Sequence, residues 1–352
     1  MKQIPFERPS IGTGEIRAIT KVLKSGWLTM GPETQSFEEE FAKYVGAKYA
    51  ISVNSATSGL FLALKALGIK EGDEVIVPSF TFAATVNVVI HCGATPIFVD
   101  IRNDNYTMDQ ESFDKAITKR TKAVIPVHYA ANKAQIKTNI PIIEDSAHLI
   151  GKNANNNKAF ASCYSFYATK NMTTGEGGMI TTSDSKIASW LKMARLHGLS
   201  RDAWKRYGLN SKWLYTVEFP GWKFNTTDLN SSIGRVQLRR LDGFEKRRKH
   251  VVELYNKLLG LKNNGTHLYP ILVEERDNFF AFMKEKGVGC SFNFTPLHLQ
   301  PAYKKYNTRK LPVTEYIGSR VATIPLDAVI SDADVKYVAK LINFYKSGKN
   351  SI

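Results

Sequence analysis

Between residues 48 and 146, short apolar runs rich in Ile and Val recur along the chain, and that pattern leaves few folds open. The runs are "KYAISVN" (48–54), "DEVIVP" (73–78), "TPIFVDI" (95–101), "KAVIPVH" (122–128) and "IPIIEDS" (140–146). Helical stretches such as "ATSGLFLALKALGI" and "ATVNVVIHCG" lie between them. Strands this apolar have no solvent face, so the pattern predicts a mostly parallel sheet covered by helices on both sides. In such sheets ligands bind beyond the carboxyl ends of the strands.

A chain of 352 residues has room for a second, smaller unit. The texture changes near residue 240, where a long helical stretch leads into short strands and helices. The expected division is therefore 1–240, a large α/β domain with an N-terminal arm, and 241–352, a small α+β domain. Its last helix is well marked, with Ser331 and Asp334 as a capping-box-like start and Val335, Val338, Leu341, Ile342 and Tyr345 as one apolar stripe.

The 43% hydrophobic and 23% charged fractions are those of a soluble globular protein, and no run of 18 apolar residues exists to span a membrane. The start, "MKQIPFERPSIG", lacks the apolar core of a secretory signal, so a cytoplasmic location is expected. Cys92, Cys163 and Cys290 are far apart and form no ligand pattern, which reads as reduced thiols and no metal site. The net charge of +16 invites a nucleic-acid reading, but no helix-turn-helix, zinc-finger or RNP-type motif supports it. The one dense basic cluster, "RRLDGFEKRRKH" (239–250), reads as a solvated helix face, with long-range attraction for a diphosphate as the alternative.

Four places near strand ends carry candidate chemistry. "SATSG" (55–59) sits where a strand meets a helix, a natural phosphate cradle or else an ordinary cap made by Ser55 or Thr57. Phe80 and Phe82 in "SFTFAAT" follow another strand, with core packing the ordinary expectation for both. In "IIEDSAH", Glu144 and Asp145 end a buried strand and point oppositely, so one serves a site or caps a following helix. Lys170, in "SFYATKNMTTGEGGM" (165–179), has no evident ion-pair partner and is held by a glycine-rich loop. A desolvated amine of that kind attacks carbonyls. Together these parts are what pyridoxal 5′-phosphate (PLP) requires: an imine-forming lysine, a carboxylate for the ring nitrogen, a stacking ring and anion donors.

The chain resembles the DegT/DnrJ/EryC1/StrS family of sugar-nucleotide aminotransferases over nearly its whole length. The matching stretches include "SGWLTMGPETQSFEEEF", "TKAVIPVH", "IEDSAH", "SFYATKNMTTGEGGMITT", "HGLSRDAW", "GWKFNTTDLNSSIG" and "PLHLQPAY", in the family's order. The resemblance implies an aspartate-aminotransferase-like fold, fold type I among PLP enzymes. It implies that Lys170 carries the cofactor as an imine, that Asp145 pairs with the pyridine nitrogen and that His148 lies by the phenolic oxygen. Phe82 matches the stacking aromatic, and Thr57, Ser58 and Ser165 match phosphate contacts. Asn225 matches a residue that reaches the phosphate from the other subunit, implying a homodimer with shared active sites. Trp27, Thr29, Arg201 and His298 are weaker candidates for the sugar nucleotide. The implied reaction moves an amino group from L-glutamate, leaving 2-oxoglutarate, to C4 of a UDP- or dTDP-linked 4-keto-6-deoxy sugar. C3 amination is the alternative, as is dehydration by relatives in which histidine replaces the anchoring lysine. Three departures stand out: a shortened segment from His128 to Asp145, an Asn-rich loop at 151–160 and an abbreviated stretch near 260–275.

Overall fold

The computed structural model describes residues 3–200 and 215–348. In chain order the elements are α1 (Thr13–Ser25), α2 (Pro32–Val45), β1 (Tyr49–Val53), α3 (Ala56–Ala66), β2 (Glu74–Pro78), α4 (Ala83–His91), β3 (Thr95–Val99), α5 (Gln110–Asp114) and β4 (Thr121–Val124). They continue with β5 (Ile143–Asp145), β6 (Ala161–Ser165), β7 (Gly178–Thr182), α6 (Ser185–Ala194), α7 (Asp228–Leu259), β8 (Tyr269–Leu272) and α8 (Arg276–Glu285). The last are α9 (Pro312–Arg320), β9 (Val321–Ile324) and α10 (Asp332–Lys346). None of the described helices is long and apolar enough to cross a membrane.

The apolar runs become strands in the order β1-β7-β6-β5, then β4-β2-β3. Parallel bridges Val124–Ile142 and Val127–Asp145 stitch the two groups into one surface. Pairing is parallel except around β7, which runs antiparallel to both neighbours. That one reversal matters for function. The start of β7 therefore lies at the same edge as the carboxyl ends of β5 and β6, and the 166–177 connection stays on the side where ligands bind. Ile51, Val53, Val75, Val77, Ile143 and Ile180 fill the core under this edge.

Between β4 and β5 the covering helix is absent. The chain makes only a 3-10 turn at Tyr129–Ala131 and an irregular path to β5, in keeping with the shortened segment. No helix follows Asp145 either, so the helix-capping alternative for that residue does not apply. The Asn-rich loop is tied down: the Asn153 and Asn155 N–H groups donate to Tyr44 and Val45 at the end of α2, and Asn156 donates to Glu144.

Helix α7 runs for 32 residues, roughly 48 Å at 1.5 Å per residue, straight through position 240. Its first half packs on α1 and α2. Val251, Val252 and Tyr255 from its second half join β8, β9, α8 and α10 in a separate core. Ile4 of the N-terminal arm is buried in that second core and bridges Val288. The basic cluster is only in part the solvated face expected from the sequence. Arg240 bonds Glu15 and Ser10, Arg247 bonds Asp332, and Arg248 is buried. Arg239, Lys246 and Lys249 stay exposed, whereas Arg240 and Arg247 exchange hydration for fixed carboxylate partners.

The start of α2 has no cap of its own, because its N-cap is Gly31. Asp228, the first residue of α7, supplies one from 197 residues away. Its Oδ1 accepts from Gly31 N–H at 2.7 Å, Thr34 N–H at 3.0 Å and Thr34 Oγ1 at 2.7 Å, and its Oδ2 accepts from Glu33 N–H. Asp228→Ala strands these donors in a buried place and should cost about 3 kcal/mol. A urea midpoint unchanged in that variant would refute the capping role.

Candidate active site

Strand ends and one loop bring Thr57, Phe82, Asp145, His148, Ser165 and Lys170 to the wall of a single cavity of about 480 Å³. Their convergence follows from the sheet. Thr57 opens α3 after β1, Phe82 precedes α4 after β2, Asp145 ends β5 and Ser165 ends β6.

Lys170 sits in the β6–β7 connection, and the residues around it explain its odd company. Phe166 N–H donates to Gly177 O and Thr174 N–H to Phe166 O, closing the connection into a compact loop. Thr173 Oγ1 bonds Phe166 O and accepts from Gly175 N–H, while Asn230 Nδ2 from α7 holds the carbonyls of Thr174 and Glu176. The hydroxyls and amides thus tie the loop, and among the described residues the amine has no ion pair. Burial pulls the Lys170 amine down to about 8, although Asp145 and Glu7 favour its charged form.

Asp145 is buried and ordered by two donors, Thr85 Oγ1 to Oδ2 at 2.8 Å and Ala147 N–H to Oδ1 at 3.1 Å. Burial raises its carboxyl above the usual value, against the pull of those hydrogen bonds and of Lys170. Its neighbour Glu144 points away from the cavity, accepting from Asn156 and Ser162 with His128 Nε2 at 3.6 Å. Burial works against the Glu144 charge, but the His128, Asn156 and Ser162 contacts outweigh it and hold the carboxyl below its usual range. Of the two adjacent acids, only Asp145 faces the cavity.

His148 is buried and held far below its ordinary pKa by burial first, then by Lys170 and His128. Its Nδ1 accepts from Ala130 N–H at 3.4 Å, which leaves the ring proton on Nε2. Ala130 offers that N–H from a left-handed conformation (φ 54°). Gly265 packs so close that a Cβ there would lie 2.1 Å from Ala130 O.

The two phenylalanines part ways. Phe80 is core, as expected, whereas Phe82 is 62% exposed at the cavity rim. Strand β2 has ended at Pro78, so the alternation that would bury Phe82 no longer applies. At the β1–α3 turn, Ser55 is the cap, accepting from Ser58 N–H at 3.1 Å, and Ser58 Oγ turns inward to Asn54. Ser58 is therefore not on the cavity wall. The turn lies so near β7 that a Cβ on Gly178 would sit 2.5 Å from the Ser55 carbonyl carbon.

The other candidates fall elsewhere. His298 is 1% exposed, with Nδ1 2.6 Å from Ser79 Oγ and Nε2 3.3 Å from Glu315. That makes it an internal brace between the two units, in place of the substrate contact suggested by the sequence. Trp27, Thr29 and Asn225 do not line this chain's own cavity. Thr29 pairs with Thr227, which places it beside Asn225. Arg201 lies outside the described residues. Among the wall residues that escaped sequence reasoning are Glu7, His267 and Phe294. Phe294 stacks on the His148 ring at 5.7 Å, and the His267 ring lies 4.4 Å from it. Burial, then His148, Lys170 and Arg248, keeps the His267 pKa far below its usual value. Nothing local in "GTHLYP" or "PFERP" marks them, since their significance arises only by convergence.

A family model of the DegT/DnrJ/EryC1/StrS aminotransferases matches residues 9–343. The chain belongs to that family. The Bacillus subtilis spore coat polysaccharide biosynthesis protein SpsC is 39% identical, with 96% of each chain covered. Spr1654 of Streptococcus pneumoniae, solved in PMP- and PLP-forms, superposes with a TM-score of 0.88 at 30% identity, covering 96% of this chain. In the PMP-form 98% of that protein is covered, and 97% in the PLP-form. Helicobacter pylori PseC, an aminotransferase involved in the biosynthesis of pseudoaminic acid, superposes with a TM-score of 0.88 at 26% identity, over 98% of this chain and all of that one. The fold is accordingly that of the type I PLP aminotransferases.

The cavity fits the family's cofactor on its own chemistry. It offers a desolvated amine, a buried carboxylate, an exposed aromatic face, and hydroxyls at a helix N-terminus for an anion. In the cofactor-free protein, the labelling rate of Lys170 by an amine reagent should rise with a midpoint near pH 8. Peptide mapping checks the site, and a midpoint above 10 would show that the amine is not desolvated. Because folding lowers this pKa, the unfolded chain binds the proton more tightly. The Lys170 penalty to stability is therefore full below pH 8 and fades as pH rises toward 10.5.

Proposed function

We propose that this chain is a PLP-dependent aminotransferase of the cytoplasm. It moves the amino group of L-glutamate to C4 of a nucleotide-linked 4-keto-6-deoxy sugar, with UDP or dTDP as carrier. The observation that carries the reading is Lys170 with its depressed pKa, sharing one cavity with the buried Asp145. SpsC is named for polysaccharide biosynthesis and Spr1654 as a candidate sugar aminotransferase, which supports a sugar as acceptor.

When bound, PLP supplies an aldehyde carbon for amine exchange and a ring that withdraws electrons from the reacting carbon. The protein's own groups do the rest. Lys170 Nζ would hold the cofactor between turnovers. With the donor bound, this amine would take the proton from the donor's Cα, a role suited to an amine near neutrality. In the second half-reaction it returns a proton to the sugar carbon. Asp145, oriented by Thr85 and Ala147, would keep the ring nitrogen protonated. The Nε2–H of His148 would donate to the phenolic oxygen. Thr57 and Ser165 would bind the phosphate, and Phe82 would cover the ring.

A homodimer with shared sites belongs to the same reading. Asn225 has a buried Oδ1 without a partner, and it sits with Thr29 away from its own cavity, where a second chain could receive it. A lysine at 170 favours amino transfer over the dehydration catalysed by relatives with histidine there. Purified enzyme, L-glutamate and a panel of nucleotide-linked 4-keto-6-deoxy sugars should give an amine product by mass spectrometry. Turnover of 3-keto sugars alone would overturn the C4 assignment. Lys170→Ala should abolish turnover while the circular dichroism spectrum stays that of the parent, and an active variant would refute the lysine's role.

A further inference from the structure

Behind the cavity wall lies a cation that the fold leaves almost unsatisfied. Arg248 of α7 is 3% exposed, yet its Nε and Nη1 have no hydrogen-bond partner, and among the described residues no other side chain leaves two such nitrogens. Among the described residues its one side-chain hydrogen bond is a long one, Nη2 to Glu7 Oε1 at 3.4 Å. A guanidinium carries five N–H donors in a planar fork, and burying most of them unpaired is unfavourable unless an anion arrives.

The surroundings say where such an anion comes from. Glu7 forms part of the cavity wall together with Lys170 and His267, so it stands between Arg248 and the space in which the amine reacts. The arm bearing Glu7 is pinned on both sides: Gly289 N–H donates to Ile4 O at 2.8 Å, and Arg8 N–H donates to Asp327 Oδ2 at 3.1 Å. The Glu7 backbone is therefore held on both sides, so displacing its carboxylate takes only a side-chain rotation. Arg248 is fixed from the other side. One turn earlier on α7, Glu245 Oε1 accepts from Asn171 beside Lys170, and its Oε2 accepts from Thr266 beside His267.

We propose that Arg248 binds the carboxylate of the amino-acid donor, and that the Glu7 carboxylate occupies its place until the donor displaces it. This rests on the aminotransferase reading above. An amino acid whose Cα proton is moved by Lys170 carries its α-carboxylate on that same carbon, so a cation close to the amine is required. A planar fork holds a carboxylate through two parallel hydrogen bonds, which a long single contact to Glu7 does not match.

The test uses the cofactor-loaded enzyme and glutarate, a dicarboxylate without the amine, followed by calorimetry. At pH 9, above the Glu7 pKa of about 8, Glu7→Gln removes the competing charge and should tighten glutarate about tenfold, whereas unchanged or weaker binding overturns the proposal. Arg248→Gln should weaken glutarate roughly 100-fold and slow the donor half-reaction far more than the transfer to a keto sugar, both read from the cofactor's absorbance. Equal losses in the two halves, or loss of sugar-nucleotide affinity alone, overturn it. Should Arg248→Gln fail to fold by thermal melting, the Glu7→Gln titration decides alone. If the parent enzyme aminates no keto sugar at all, the sugar assignment falls, while the glutarate result still judges Arg248.

Discussion

The carboxylate of Glu245 joins two segments that the chain separates by almost a hundred residues. One oxygen takes Asn171, next to the reactive lysine, and the other takes Thr266, next to His267. Through that single group, α7 sets the spacing between the floor of the cavity and the wall supplied by the C-terminal unit. The lysine loop is otherwise held by its own threonines and by Asn230, so its precision comes from side chains of one helix. The antiparallel strand β7 makes the arrangement possible by returning the chain on the ligand side of an otherwise parallel sheet.

Around this frame, burial sets the protonation states. Lys170 and Glu7 are both shifted toward about 8, from opposite directions, by the same loss of water. Arg248 and Lys170 temper the effect on Glu7 without cancelling it. His148 and His267 are pressed together and stay uncharged, because a proton on either would sit beside Lys170 in a dry place. The result is a pocket that holds its charges ready without spending them on one another. Asp145 is the exception, bound on both oxygens and so kept in one orientation.

Much of this was legible because the relevant signals are local. Two acids at the end of an apolar run, a lysine among small polar residues and a small-residue turn between strand and helix each declare themselves within a few positions. The residues that were missed have no such signature. Glu7, Arg248 and His267 are brought together across some 260 positions, and nothing in the neighbours of any one of them announces the others. His298 misled for the opposite reason. A polar residue in a quotable motif invites a role in binding, yet Ser79 and Glu315 satisfy both ring nitrogens inside the protein. The cluster at 239–250 was legible only in part: Arg239, Lys246 and Lys249 lie on the solvated face, but a one-dimensional run of charge does not reveal which carboxylates will fold against Arg240 and Arg247.

The uninterrupted course of α7 through both cores also ties them to one another. The face of its first half that packs on α1 and α2 and the face of its second half that packs with β8, β9, α8 and α10 are related by helical geometry alone. A change in the length of that helix would rotate one core against the other by about 100° per residue inserted or removed.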